Sequence, residues 1–296
     1  MELFLLYPEW QSSGENTAVY HGALKVAEVV FSNKDFLHIH VPAEETLEKT
    51  RGVLGLKSIA PRFQRTIEDL RKRQPDKIFM VGGTCGVEVA PVGYLNEKYD
   101  GDLAVIWLDA HGDLNNPASS PSGHFHGMPL RTLLGDGPIE YTSQLKLKLL
   151  PKQIFLAGSR ELDPPEQAFI KQTHISVTLT SELSTPHILI DSIRLVGFKN
   201  IYVHLDLDVI DPGSFPNSLM QTPGGPSMSE VQSLIRILSR SFNTVGFSIV
   251  EYCEHQKDAS LKTLKGLIER SGITQRYRHQ DCFGFASFLE TVRKNE

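Results

Sequence analysis

No stretch of the 296 residues stays apolar for the ~18–20 positions a membrane-crossing helix needs. A membrane is therefore not an expected partner. Basic residues are also short: 30 Lys and Arg face 35 Asp and Glu, a formal charge of −5. A nucleic-acid binder normally carries a basic surplus, so that class is set aside. Cysteine is scarce. Cys85, Cys253 and Cys282 cannot form a disulfide framework, and a reducing, cytoplasmic setting is expected. The first ten residues, MELFLLYPEW, hold an acid at Glu2 and no basic segment, so they do not read as a secretory leader. The chain also lacks G-x-x-x-x-G-K-[ST], a post-strand G-x-G-x-x-G, H-E-x-x-H, G-x-S-x-G and C-x-x-C. Nucleotide, zincin, serine-hydrolase and thioredoxin chemistries have no support.

Short apolar, β-branched runs recur at 3–7, 36–40, 77–81, 103–108, 153–157, 175–179, 201–207 and 245–250. Several are apolar at nearly every position, which fits strands covered on both faces. Helical patterns lie between them at 18–32, 61–73, 167–172, 227–240 and 259–270. The alternation predicts an α/β fold with three layers and a central, mostly parallel, eight-stranded sheet. No repeat or Pro/Ser-rich linker divides the chain, so residues 1–296 are expected to form a single domain. Two long Gly/Pro/Ser segments, 115–123 and 211–226, follow strands that end in acids. In an open α/β sheet ligands bind at such strand ends.

Two places break the apolar logic. One is Asp109-Ala110-His111-Gly112-Asp113, and the other is His204-Leu205-Asp206-Leu207-Asp208. Strand alternation predicts that Asp109 with His111, and Asp206 with Asp208, converge on one space. Carboxylates crowded away from water repel, and a cation removes the conflict. Oxygen donors plus an imidazole suit a divalent ion such as Mn²⁺. A single Asp at a strand end is usually a helix cap or turn residue. The two clusters together, each opening a long loop, point to a metal.

At these residues the sequence resembles the ureohydrolases, the family of arginases, agmatinases and formiminoglutamases. DAHGDLNNPASSPSGHFHGMP (109–129) is similar to the metal-binding segment and substrate loop of arginases. HLDLDVIDPGSFPNSLMQTPGG (204–225) is similar to the second signature, and FSIVEY (247–252) to the strand ending in a guanidinium-binding Glu. The resemblance implies two metal ions bridged by Asp109 and Asp206. Asp113 would complete one shell, and His111 with Asp208 the other. Mn²⁺ is the implied metal. The implied reaction is attack of a metal-bridging hydroxide on the guanidinium carbon of arginine or a close analogue, releasing urea and an amine.

By the same resemblance, Glu251 pairs with the guanidinium and His126 carries a proton to the leaving amine. Asn115 and Ser122 match the grip on an amino-acid carboxylate. Asp163 and Glu166, in GSRELDPPE (158–166), match the grip on an α-amino group. Thr222 of the Thr-Pro-Gly-Gly turn is grouped with these substrate residues. The pattern favours an α-amino acid over agmatine. The main departure is VGGTCG (81–86), where Thr84-Cys85 replaces Asp-His. Cys85 as a thiolate ligand would favour a softer ion on its side. The same dipeptide resembles a hydroxyarginine amidinohydrolase branch, making Nω-hydroxyarginine the leading alternative substrate. A metal-binding, non-catalytic interaction subunit is the alternative of another class. A second departure, Cys253, raises the expectation that its thiol faces that of Cys85. The family's habit implies a homo-oligomer, trimeric or hexameric.

Overall fold

The strands carry so few polar side chains that they can only be stable when covered on both sides, and helices cover them. The computed structural model describes residues 1–14, 16–255 and 259–274, so Cys282 lies outside the described residues. The strands are β1 (Glu2–Tyr7), β2 (Phe36–His38), β3 (Lys49–Thr50), β4 (Val53–Leu54), β5 (Lys77–Gly82), β6 (Ala104–Leu108), β7 (Ile154–Ala157), β8 (Ser176–Thr178), β9 (Asn200–Asp206) and β10 (Asn243–Val250). Eight of them form one sheet in the order β2-β1-β5-β10-β9-β6-β7-β8, and every pairing is parallel. β3 and β4 make a small antiparallel hairpin beside it. Every residue of β6 and β9 is buried, as expected for central parallel strands.

The helices are α1 (Ala18–Val30), α2 (Leu56–Arg73), α3 (Val89–Lys98), α4 (Pro129–Leu133), α5 (Ile139–Thr142), α6 (Pro164–Thr173), α7 (His187–Val196), α8 (Met228–Ser241) and α9 (Ala259–Ser271). Helices α2 to α5 pack with Trp107 and Tyr202 on one face of the sheet. Helices α1, α7, α8 and α9 pack with Ile106 and Val203 on the other. Two cores sandwich one sheet, which is the expected three-layer arrangement. Each large aliphatic or aromatic side chain sealed in them contributes about 1.5–3 kcal/mol. No described helix is long and apolar enough to cross a membrane.

Two helix starts differ in their agreement with the sequence. Helix α8 begins where the Ser-x-x-Glu signal placed it: Ser227 Oγ accepts from Glu230 N–H (3.3 Å), and Glu230 Oε2 accepts from Ser227 N–H (2.7 Å). Helix α2 begins at Leu56, five residues before the Pro61 that suggested its start. Pro61 removes the amide that would have bonded to the carbonyl of Lys57. Lys57 is strongly exposed, so water can take that carbonyl and the helix continues.

The sheet order sets up the site. β5, β10, β9 and β6 are successive neighbours, and their C-terminal ends lie side by side. They carry Cys85, Glu251, Asp206 and Asp109 respectively. Residues distant in the chain are therefore brought to one edge by topology alone.

Candidate active site and metal centre

Asp109 and Asp206 lie just at the ends of adjacent buried strands and are almost fully sealed from water. The expected pairs do converge, but not through strand alternation. β6 stops at Leu108 and β9 at Asp206, so neither pair lies within a strand. Each carboxylate instead holds a turn. Asp109 Oδ1 accepts from His111 N–H (2.6 Å), and Asp206 Oδ1 accepts from Asp208 N–H (2.8 Å). These are the turn bonds that Asp forms with the backbone two residues on. The second oxygens are engaged elsewhere: Asp109 Oδ2 accepts from Trp107 Nε1 (3.0 Å), and Asp206 Oδ2 accepts from Cys85.

The strand ends are joined side chain to side chain. His111 Nδ1 is 2.9 Å from Asp208 Oδ2 and 3.4 Å from Asp109 Oδ1. The Cys85 thiol donates to Asp206 Oδ2 (3.0 Å) and lies 3.9 Å from Asp109 Oδ2. Two groups of side chains are close enough to hold an ion: Asp109, His111 and Asp208, and next to them Cys85, Asp109, His204 and Asp206. Asp109 is common to both. Asp113 belongs to neither group, but its Oδ2 is buried without a hydrogen-bond partner. Its backbone has φ 52°, a left-handed conformation that a non-glycine residue adopts at a cost.

Charge in this space is poorly compensated by the protein itself. Burial first, then the carboxylates of Asp208 and Asp109, push Asp206 well above the usual carboxylate range. Burial and the charge of Asp109 do the same to Asp113. Asp208 is pushed up to about 6 by burial and Asp109, with His111 opposing. Burial works against the charge of Asp109, yet the neighbouring imidazoles of His111 and His204 outweigh it and hold the carboxyl well below its usual range. Burial and the ring of acids raise the Cys85 thiol. Buried carboxylates forced toward protonation, with an orphaned oxygen among them, fit divalent cations.

Above the acids opens a pocket of about 490 Å³. Its lining contains Cys85, His111, Asp113, Asn115, Ser122, His126, Asp163, Glu166, Asp206, Asp208, Thr222 and Glu251. Every site residue expected from the sequence is thus in one place, with Asp109 sealed beneath the floor. Glu251 follows β10 at φ 61°. Its Oε1 lies 3.3 Å from Cys85 N and 3.2 Å from His126 Nδ1, and its Oε2 is buried without a partner. Across the pocket, Asn115 Nδ2 donates to Asp163 Oδ2 (2.8 Å). Glu166 is more committed. Its two oxygens accept from the amides of Leu114 and Asp163 (2.9 Å each), which fixes both loops against the start of α6. Thr84 turns away from the acids, donating to the buried Glu9 (2.9 Å). Cys253 is a buried free thiol that does not line the pocket, so the structure does not set it opposite Cys85 at the pocket.

The profile of the arginase family matches residues 15–264. The chain belongs to the arginase family. The arginase of Staphylococcus aureus (strain MRSA252) is 34% identical over 178 residues, 58% of this chain. That match spans only 59% of the Staphylococcus protein's length. Among solved structures, Entamoeba histolytica arginase in complex with L-ornithine superposes with a TM-score of 0.83 at 22% identity, covering 93% of this chain and 98% of that one. Formimidoylglutamase from Bacillus subtilis gives 0.71 at 18%, covering 91% and 85%. At such identities these likenesses speak for the fold.

Within this arginase-family frame, several residues at the site were not anticipated from sequence. Arg160 Nη2 donates to the carbonyls of Asp208 (2.9 Å) and Thr222 (2.6 Å), and its Nε to that of Pro223 (3.0 Å). It pins the 208–223 loop to the pocket. Under the floor, His204 stacks on Trp107 and meets Glu88. The i, i+2 rule could have found His204, because 204 and 206 do lie on one strand.

The shifted carboxyls have a consequence for the metal-free chain. A group whose pKa rises on folding contributes stability that is complete below its unfolded pKa and lost as pH rises through the folded one. For Asp208 that window runs from about 4, the unfolded value, to about 6. Asp206 and Asp113 act in the same direction. Asp109 is shifted the other way, and its contribution disappears only in stronger acid. The melting temperature of the metal-free chain should therefore fall as pH rises from about 4 to above 6. That of the metal-loaded chain should rise, because protons and metal compete for the same atoms. Thermal melts of both forms across this range test the point; slopes of the same sign would contradict it.

Proposed function

We propose that this chain is a binuclear-metal amidinohydrolase that cleaves the guanidinium group of an α-amino acid, arginine first, to urea and an amine. The observation that carries the reading is the unpartnered Glu251 Oε2, buried beside His126 in a pocket floored by Asp206 and Asp208. A planar cation with paired N–H groups suits a carboxylate with one oxygen still free. Asp109, His111, Asp113, Asp206, Asp208 and Cys85 are the residues that would hold two ions. Such ions supply Lewis acidity and lower the pKa of a water. Mn²⁺ is the expected metal, with a softer ion favoured next to Cys85.

The chain's own residues divide the remaining work. Glu251 holds the guanidinium plane so that its carbon faces the acids. His126, in contact with Glu251 through Nδ1, delivers a proton to the departing amine. Asn115 and Ser122 serve the substrate carboxylate, and Asp163 its α-amino group. Glu166 keeps the Asp163 loop in place through its two backbone bonds. Thr222 lines the wall that Arg160 braces. The resemblance of Thr84-Cys85 to the hydroxyarginine branch makes Nω-hydroxyarginine the second substrate. A cytoplasmic setting and a homo-oligomer, trimeric or hexameric, belong to the same reading.

Urea release from arginine, Nω-hydroxyarginine (as hydroxyurea), agmatine and guanidinopropionate by the Mn²⁺-loaded chain tests the assignment. The amino acids should turn over and agmatine should be the poorest substrate. Agmatine as the best substrate would overturn the role given to Asn115, Ser122 and Asp163. Glu251→Gln should keep its metal content and lose about 100-fold in kcat/KM, the worth of a charged hydrogen bond in a dry site. Unchanged kcat/KM in that variant would remove Glu251 from the mechanism.

A further inference from the structure

Under the floor of the pocket lies a histidine that the proposed reaction does not use. His204 sits on β9 two residues before Asp206, on the same face of the sheet, and is completely buried. Its cross-strand partner on β6 is Trp107. The two rings lie nearly parallel, 3.6 Å between centroids and 17° apart, which fixes the plane of the imidazole. His204 Nδ1 is 2.9 Å from Glu88 Oε1, and the other oxygen of Glu88 accepts from Tyr202 Oη (2.6 Å). That bond fixes the rotation of the ring, and Nε2 then points toward Asp109.

Nε2 has no hydrogen-bond partner. It stands 3.6 Å from Asp109 Oδ2, beyond hydrogen-bond reach, and that oxygen already accepts from Trp107 Nε1 (3.0 Å). An imidazole nitrogen buried without a partner costs free energy, so its retention needs an explanation. A ring nitrogen of His204, Cys85 Sγ and carboxylate oxygens of Asp109 and Asp206 lie mutually within 4.8 Å, and Nε2 is the nitrogen on the Asp109 side. A metal-ligating histidine usually gives its other N–H to a carboxylate, which sets the tautomer and aims the free lone pair. Glu88 stands where that carboxylate is needed.

We infer that His204 is a metal ligand: Nε2 of His204, Sγ of Cys85 and the carboxylates of Asp109 and Asp206 form one ion site, with Glu88 as its supporting carboxylate. This inference rests on the two-ion reading above and specifies one of the two sites. The imidazole binds as the neutral ring with its proton on Nδ1. Cys85 binds as thiolate, its proton passing to solvent as the ion enters. A donor set of one nitrogen, one sulfur and two carboxylates suits Zn²⁺, Fe²⁺ or Co²⁺ better than Mn²⁺. The neighbouring site of Asp109, His111 and Asp208 lacks sulfur and suits the harder ion. The two positions therefore differ in metal preference.

The metal-depleted full chain, titrated with Co²⁺ and followed by equilibrium dialysis and near-ultraviolet absorption, tests this without substrate. The wild type should take up two ions, one of them giving a thiolate-to-cobalt band. His204→Asn should keep the ion at His111 and bind the other at least 10-fold more weakly, with the band displaced. Glu88→Gln should keep both ions and weaken the same one by about 10- to 100-fold. A folded His204→Asn that binds both ions with wild-type affinity and an unmoved band overturns the inference. Should that variant fail to fold, anomalous diffraction from Co²⁺-loaded wild-type crystals decides. An ion within bonding distance of His204 Nε2 supports the site, and occupied sites that leave Nε2 uncoordinated refute it. The two readings fail separately. A chain that ligates through His204 but hydrolyses no guanidine keeps this inference and loses the function. One that releases urea with His204 uncoordinated does the reverse.

Discussion

Asp206→Ala is expected to abolish metal-dependent urea release, by about 1000-fold or more, and to leave fewer than two ions per chain. Asp206 serves several neighbours at once. It accepts the Cys85 thiol and the Asp208 amide, and it lies within the group that includes Asp109 and His204. Losing it removes a donor from the centre, and with it the several kcal/mol that metal ions supply to such a reaction. The same residue should be costly when no metal is present. Burial and the charges of Asp208 and Asp109 already drive it toward its protonated form. Asp206→Asn keeps the side-chain shape and an acceptor for the Asp208 amide while removing the charge. That variant, metal-free, should melt higher than the metal-free wild type and gain little from added ions. Dialysis with metal analysis, a urea assay and thermal melts read all three outcomes. A fully active Asp206→Ala would overturn the site.

Removal of metal from the wild type is the second large effect. Five surplus negative charges spread over the sequence decide little, but Asp109, Asp113, Asp206 and Asp208 gather beneath one pocket. A ligand that binds only the native state stabilises it by about 2.7 kcal/mol at 100 times its Kd. Two such ions, at the few degrees per kcal/mol usual for a chain of this size, should raise the melting temperature by on the order of 10 °C. Chelator should return the chain to the lower value. A melting temperature indifferent to chelator would mean that the acids are accommodated without a cation.

The fold was legible because its central strands are apolar at almost every position, which only a doubly covered parallel sheet explains. All eight sheet strands correspond to such runs. Helix α3 escaped notice for the same reason: Val89–Lys98 is buried nearly all round and contains Pro91 and Gly93, so it shows no amphipathic stripe. The hairpin of β3 and β4 is too short to leave a pattern. At the site, the neighbourhoods of Asp109 and Asp206 were readable as acids that interrupt apolar strands. Their convergence was expected from strand alternation and arises instead from turns in which each carboxylate binds an amide two residues ahead. His204 stood in the second of those neighbourhoods but was given no role, although it shares a strand face with Asp206. Glu88 was hidden by distance, since 116 residues separate it from the histidine it holds. Contacts of that kind come from the order of strands in the sheet, which hydrophobic periodicity does not encode.

The central claim is that these residues form a two-ion centre that hydrolyses a guanidinium group. Urea released from arginine and hydroxyurea released from Nω-hydroxyarginine, measured together with metal content on the reconstituted full chain, test it most directly. Product is expected from a chain holding two ions, and none after chelation. Two ions firmly bound, with no urea or hydroxyurea from either substrate, would contradict it.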